Sequence, residues 1–277
     1  MTIAAAYLTS AGVVLGADST TTITQPTAQG GAVVQLFNHA QKVFEIGPQG
    51  QGRLALCTWG AGTAGALSHR TVAARLADSL DSHATVDTAK EMLREIVESE
   101  LQAAGASGLL GYFIGGHDLA TRTADCWQII FERGQMSSIT KLQPGTAMFN
   151  GAPEFFTRVF HGYAPELPNL IREGLKQADP ALNHPDFDGI FDTVFQNASQ
   201  QACAAGYADL PIREAIDFVH TYLHITIKAF KFRSGPPVCG GPIEIGFVTT
   251  DRSFRWVCHK EFDTAIFEQR GGDNVYV

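Results

Sequence analysis

The sequence predicts an α+β protein, and three features predict it. Two apolar runs, Ile3 to Leu8 and Val13 to Ala17, flank Thr9-Ser10-Ala11-Gly12 and read as a β-hairpin buried on both faces. Further short apolar runs follow at about 32–37, 42–46, 53–59, 109–114, 124–131, 136–142, 242–249 and 254–259. Helical periodicity is confined to two blocks, about 60–104 and 153–233. Strands and helices in separate blocks mark the α+β class.

Taken in order, the hairpin leads into a hydroxyl-rich stretch, Ser19 to Thr24, that suits a polar β-edge. Gln25 to Gly31 reads as a loop through Pro26, Gly30 and Gly31. Ala32 to Phe37 is a strand or hairpin arm, Lys42 opens a third strand, and Arg53 to Trp59 forms a fourth. Gly60, Gly62 and Gly65 then turn the chain into a helix running to about Leu80. This Gly-rich turn lacks GxxxxGK[ST] and so is no phosphate cradle.

Val86 to Ala104 is an amphipathic helix with Ala89, Met92, Ile96, Val97 and Leu101 on one face. Two strands joined through Gly115-Gly116-His117-Asp118 come next, and Asp118 there reads as a turn cap. Asn150-Gly151-Ala152-Pro153 starts a helix near Glu154. From Pro165 to Arg233 the chain is helical, apart from a loop at Ala178 to Asp188. The last helix, Ile212 to Phe232, carries His220 and His224 at i, i+4. With no HExxH pattern and no third ligand, they read as part of an aromatic face with Phe218, Tyr222 and Phe230, and no metal site is expected. Asp263 to Val277 reads as an appended tail. The expectation is one domain over residues 1–277, with an enlarged helical region at about 153–233.

Composition bounds the function. A chain of 277 residues, 45% hydrophobic and 17% charged, is an ordinary globular protein. The net charge of −8 and the lack of a basic run argue against nucleic acid. No apolar run approaches the ~20 residues of a membrane span, and the N-terminus lacks the Lys and Arg of a secretory signal. The five cysteines, Cys57, Cys126, Cys203, Cys239 and Cys258, form no CxxC pair and suit buried thiols in a reducing cytoplasm.

The second residue carries the chemistry. Removal of Met1 would give Thr2 a hydroxyl and a free α-amine, a nucleophile with its own base. Asp18 and Lys42 stand as single polar residues at the ends of apolar strands.

Thr2 opening a strand, Gly12-Val13-Val14-Leu15-Gly16-Ala17-Asp18, and Lys42-Val43-Phe44-Glu45-Ile46 together resemble the β-subunits of proteasomes and their bacterial relatives, the HslV peptidase and the Anbu-type homologues. All are N-terminal-nucleophile hydrolases. The resemblance assigns nucleophile, acid and lysine to Thr2, Asp18 and Lys42, and the 16-residue step from Thr2 to Asp18 is the family's own. Ala61-Gly62-Thr63-Ala64 is a third match, opening a helix after a strand as in the HslV-like branch.

Further roles follow from the resemblance. Thr22 falls where a backbone pairs with extended substrate, and an oxyanion-binding amide falls at Thr58 or Trp59, within Thr58–Gly60, with the Trp59 side chain narrowing the pocket. Among the chain's departures from the family, Asn150 replaces an amine-orienting serine, Cys239 replaces a second serine, and Pro236 replaces an aspartate. The resemblance implies a four-layer αββα sandwich and a cytoplasmic threonine peptidase in a self-compartmentalising homo-oligomer, ring or spiral. It also implies a peptide or protein substrate, an ATP-dependent unfoldase as partner, and no cofactor. An amidohydrolase of small amides and an inactive proteasome-like scaffold are the alternatives.

Overall fold

The alternation of buried side chains along the first strand sets the architecture. The computed structural model describes residues 2–27, 30–47, 51–81, 83–152, 154–164, 166–200, 206–234 and 239–260. In chain order the strands are β1 (Ala4–Thr9), β2 (Gly12–Ala17), β3 (Thr21–Thr27), β4 (Gly30–Phe37), β5 (Val43–Ile46), β6 (Leu54–Gly60), β7 (Thr63–Ala64) and β8 (Leu67–Ser68). Helices α1 (His69–Ser79) and α2 (Val86–Ala103) precede β9 (Leu110–His117), β10 (Ala124–Glu132), β11 (Gln135–Lys141) and β12 (Thr146–Asn150). Then come α3 (Glu154–His161), α4 (Leu167–Ala178), α5 (Pro185–Gln200) and α6 (Ile212–Phe232), and finally β13 (Glu244–Thr249) and β14 (Arg252–Cys258).

The protein is mixed α+β with several antiparallel sheets. One five-stranded sheet runs β12-β1-β2-β13-β14 and the other β11-β10-β9-β6-β5, with two-stranded pairs β3-β4 and β7-β8 beside them. In β1, Ala4, Ala6 and Leu8 face a cluster shared with the second sheet, where they meet Ala55, Cys57, Trp59 and Phe113. Ile3, Ala5 and Tyr7 face the other way, into a cluster with Ala215, Val219, Tyr222 and Leu223 of α6. The second sheet repeats the arrangement: Leu54 and Leu56 of β6 turn away from the inter-sheet cluster, toward Val72 and Leu76 of α1 and Leu93 and Val97 of α2. Strands buried on both faces need apolar residues at every position, which is why they read as continuous runs. At Gly16 a Cβ would lie 2.7 Å from Val219 Cγ1, so the glycine sets how closely α6 approaches β2.

Four expectations are corrected. Gln25 to Gly31 is not one loop: β3 runs through Pro26 to Thr27 and β4 starts at Gly30. A two-stranded pair has open edges, so the missing Pro26 N–H is tolerated there. Ala61-Gly62-Thr63-Ala64 does not open a helix; it enters the β7-β8 hairpin, and α1 begins only at His69, where Ser68 caps Thr71 N–H. Gly65 explains the delay: its φ is +60°, and a Cβ there would lie 2.3 Å from Glu100 O, so the chain turns at a glycine before the helix starts. Gly115, Gly116 and His117 are strand rather than turn. A Cβ at Gly116 would meet Arg53 O at 2.2 Å, so this glycine serves strand approach, while Asp118 does cap the turn, accepting from Ala120 and Thr121 N–H. Finally, β12 pairs with β1 although no strand was expected at 146–150. The tail at 263–277 and Pro236 lie outside the described residues.

Candidate active site

The centre of the site is the Asp18 carboxylate, with no exposed surface. It sits just past the end of β2, opposite the start of β1, because these strands pair from Ala4↔Ala17 to Thr9↔Gly12. Oδ1 accepts from Ile3 N–H at 3.1 Å and from Lys42 Nζ at 2.6 Å. Oδ2 accepts from Thr20 N–H at 3.2 Å and Gly240 N–H at 2.9 Å. Four donors on one carboxylate offset the loss of water that burial imposes.

Lys42 stands immediately before β5 and donates a second bond from Nζ, to Thr20 O at 2.6 Å. Two of its three ammonium protons are thus engaged. Its backbone N–H donates to Glu244 Oε2 at 3.2 Å. Glu244 is itself fully buried, and its Oε1 lies 3.0 Å from His259 Nδ1 and 3.3 Å from Lys260 Nζ. No motif pointed to Glu244, because its partners come from a different part of the chain.

Thr2 is buried and borders a cavity of about 350 Å³, together with Lys42, Thr22, Thr58, Trp59, Gly60, His69 and Arg70. The structure therefore brings together Thr2, Asp18 and Lys42, and Thr22 lines the same cavity. Gly151 presses against Thr2: its φ is +97°, and a Cβ there would lie 1.6 Å from Thr2 O. Only glycine fits both constraints.

The amides near the end of β6 divide by ladder alternation. Thr58 N–H donates to Lys42 O at 2.9 Å, so Thr58 is not a free oxyanion donor, contrary to expectation. Alternate amides face the same edge, so the Gly60 N–H points toward that edge too, one step past where β5 begins. Gly60 has φ +91° and borders the cavity. Trp59 N–H faces β9 instead, and the Trp59 ring lies in the inter-sheet cluster over Gly111. Much of its bulk is taken up by the core, while Trp59 remains one of the residues lining the cavity.

His69, at the start of α1, holds this turn from beneath. Ala61 O can only accept, so His69 Nε2 donates to it at 2.9 Å, and Nδ1 accepts from Tyr112 OH at 2.9 Å. Burial depresses the imidazole pKa, which keeps the ring neutral. An isolated His before a helical pattern carries no sequence signal for this role.

Asn150 pairs with Ala4 across β1-β12, and its carbonyl accepts from Tyr222 OH. Its side-chain Nδ2 is buried with no hydrogen-bond partner among the described residues, so it makes no bond to Thr2. Cys239 is buried beside the site; burial first, and the Asp18 carboxylate second, push its thiol up to about 12. It is therefore protonated at neutral pH. His220 and His224 stack at 5.7 Å on α6. Among the described residues no helix is long and apolar enough to cross a membrane. Comparison with protein-family models and with curated proteins gives no match.

Proposed function

We propose that the chain is a threonine-nucleophile amide hydrolase. The observation that carries this reading is Thr2 on a cavity wall beside a lysine whose ammonium is held by Asp18 and Thr20 O. Once Met1 is removed, Thr2 Oγ1 attacks an amide carbonyl and forms an ester. The α-amine takes the hydroxyl proton, passes it to the leaving amine, and then activates water. The Lys42 cation lowers the amine's pKa through its charge. The Gly60 N–H receives the oxyanion, an interaction worth ~3 kcal/mol in such sites.

Helices packed on the outer face of each sheet, with a third apolar cluster between the sheets, support a four-layer αββα sandwich of the proteasome-like kind. With it go a peptide or protein substrate, a self-compartmentalising homo-oligomer, an ATP-dependent unfoldase as partner, and a cytoplasmic setting. The unpartnered Asn150 amide nitrogen and the protonated Cys239 thiol favour a second reading, a scaffold that keeps the site's frame without turnover.

Intact-mass spectrometry before and after treatment with a peptide epoxyketone separates the two. The hydrolase loses Met1 and gains one adduct, and Thr2→Ala, although folded, gains none and loses all amide turnover. Retained Met1 with no adduct would sink the hydrolase reading and leave the scaffold.

A further inference from the structure

The cavity beside Thr2 has a one-sided charge. Among the sixteen described residues that line it none is Asp or Glu, although the chain carries 28 acidic residues against 20 Lys and Arg. Its basic members are His39, Lys42, His69 and Arg70. Two are unavailable to a ligand's charge: the Lys42 ammonium is paired with Asp18, and the His69 ring is neutral and bonded at both nitrogens.

Arg70 differs from both. It lies on the first turn of α1, exposed, and makes no ion pair with a carboxylate among the described residues. Its Nη2 donates to Gln41 Oε1, and Gln41 Nε2 in turn donates to Val43 O at 2.9 Å. Gln41 thus anchors the guanidinium to the strand that follows Lys42, at the cavity rim. Arg70 also borders a neighbouring cavity whose lining includes Glu45, Asp78 and His259. The cavity lining also includes Thr22, whose hydroxyl is buried without a hydrogen-bond partner. A planar guanidinium with donors to spare and an unpaired hydroxyl are what a carboxylate takes up.

We propose that this cavity selects an acidic side chain, Glu or Asp, on the acyl side of the scissile amide, with Arg70 as the determinant. The scissile bond rests on the hydrolase reading above; the binding preference does not. A free peptide C-terminus offers the same chemistry, so the test uses peptides blocked at both ends, in which the side chain is the only carboxylate.

Calorimetric titration of the Thr2→Ala protein compares blocked peptides that differ only in Glu against Gln. Because the pair is partly exposed, Glu is expected to bind roughly fivefold tighter. The ratio falls to about one in a protein that also carries Arg70→Gln, and in Arg70→Glu a Lys peptide becomes the better ligand. With the Thr2 nucleophile intact, kcat/KM for the matching fluorogenic pair follows the same ratio. Equal affinities, no binding of either peptide, or a Glu preference that survives Arg70→Gln would overturn the proposal. Selective binding without any cleavage would instead overturn the hydrolase reading and leave this one standing.

Discussion

Two regions of the molecule use ion pairs in opposite ways. At the Thr2 corner, Lys42 and Asp18 meet at 2.6 Å with almost no solvent, and every oxygen of the carboxylate is occupied by a donor. Between α4 and α5, Lys176 meets Asp188 at 2.9 Å and Arg172 bridges Asp188 and Asp192, all partly in water. The same helices expose Leu170 (68%), Ile190 (66%) and Val194 (57%). Buried charge is tolerable only when its geometry is complete, so the first region is all-or-none. The second is screened and replaceable, and its helices gain more from amphipathic spacing than from any pair.

The sharpest break of this contrast is Asp18→Asn. It strands the Lys42 ammonium without a counter-charge, and chemical denaturation should show a loss of roughly 3–5 kcal/mol. Gly151→Ala follows, at about 2 kcal/mol or more, because a Cβ must displace Thr2 O and the residue must hold a positive φ. Its thermal midpoint should fall, and Thr2 should lose reactivity toward the epoxyketone.

Acidification comes next. The folded pKa of His69 lies below its ordinary value of 6.5, so below about pH 6.5 the unfolded chain binds more protons than the folded one. His69's contribution to stability is complete above that pH and is lost as the pH falls, at no more than about 1.4 kcal/mol per pH unit. His117, also buried and lowered, adds to the slope. Melting curves from pH 7.5 to 5 should show the decline, and His69→Gln should remove its share. Lys176→Ala closes the series at about 0.2–1 kcal/mol, an effect that should shrink further in high salt.

The same contrast explains what was legible in the sequence. Asp18 and Lys42 could be read because each stands as a single polar residue at the end of an apolar strand, and Thr2 because removal of Met1 would give it a free α-amine beside its hydroxyl. The α6 helix was equally legible, since twenty-one residues of periodic pattern leave little choice. Glu244 was not: one acid at the start of a strand looks like a solvated residue until His259, Lys260 and the Lys42 amide are known to surround it. The β7-β8 hairpin is too short for any periodicity, and β12 is an edge strand whose half-buried residues alternate weakly. Gly60 could be marked only as a turn, since its amide direction depends on the pairing of β5 with β6.

The reach of Glu244 and Gly240 also governs timing. Gly240 N–H completes the Asp18 carboxylate across 222 residues, and Glu244 steadies the Lys42 backbone across 202. Lys260, which neutralises Glu244 and also donates to Ala40 O, is later still. During synthesis Thr2 is made first, and the frame that holds its neighbours is made last. A nascent chain therefore carries an unassembled centre until β13 docks, and a chain cut short before residue 240 keeps Thr2 but loses the residues that complete its frame.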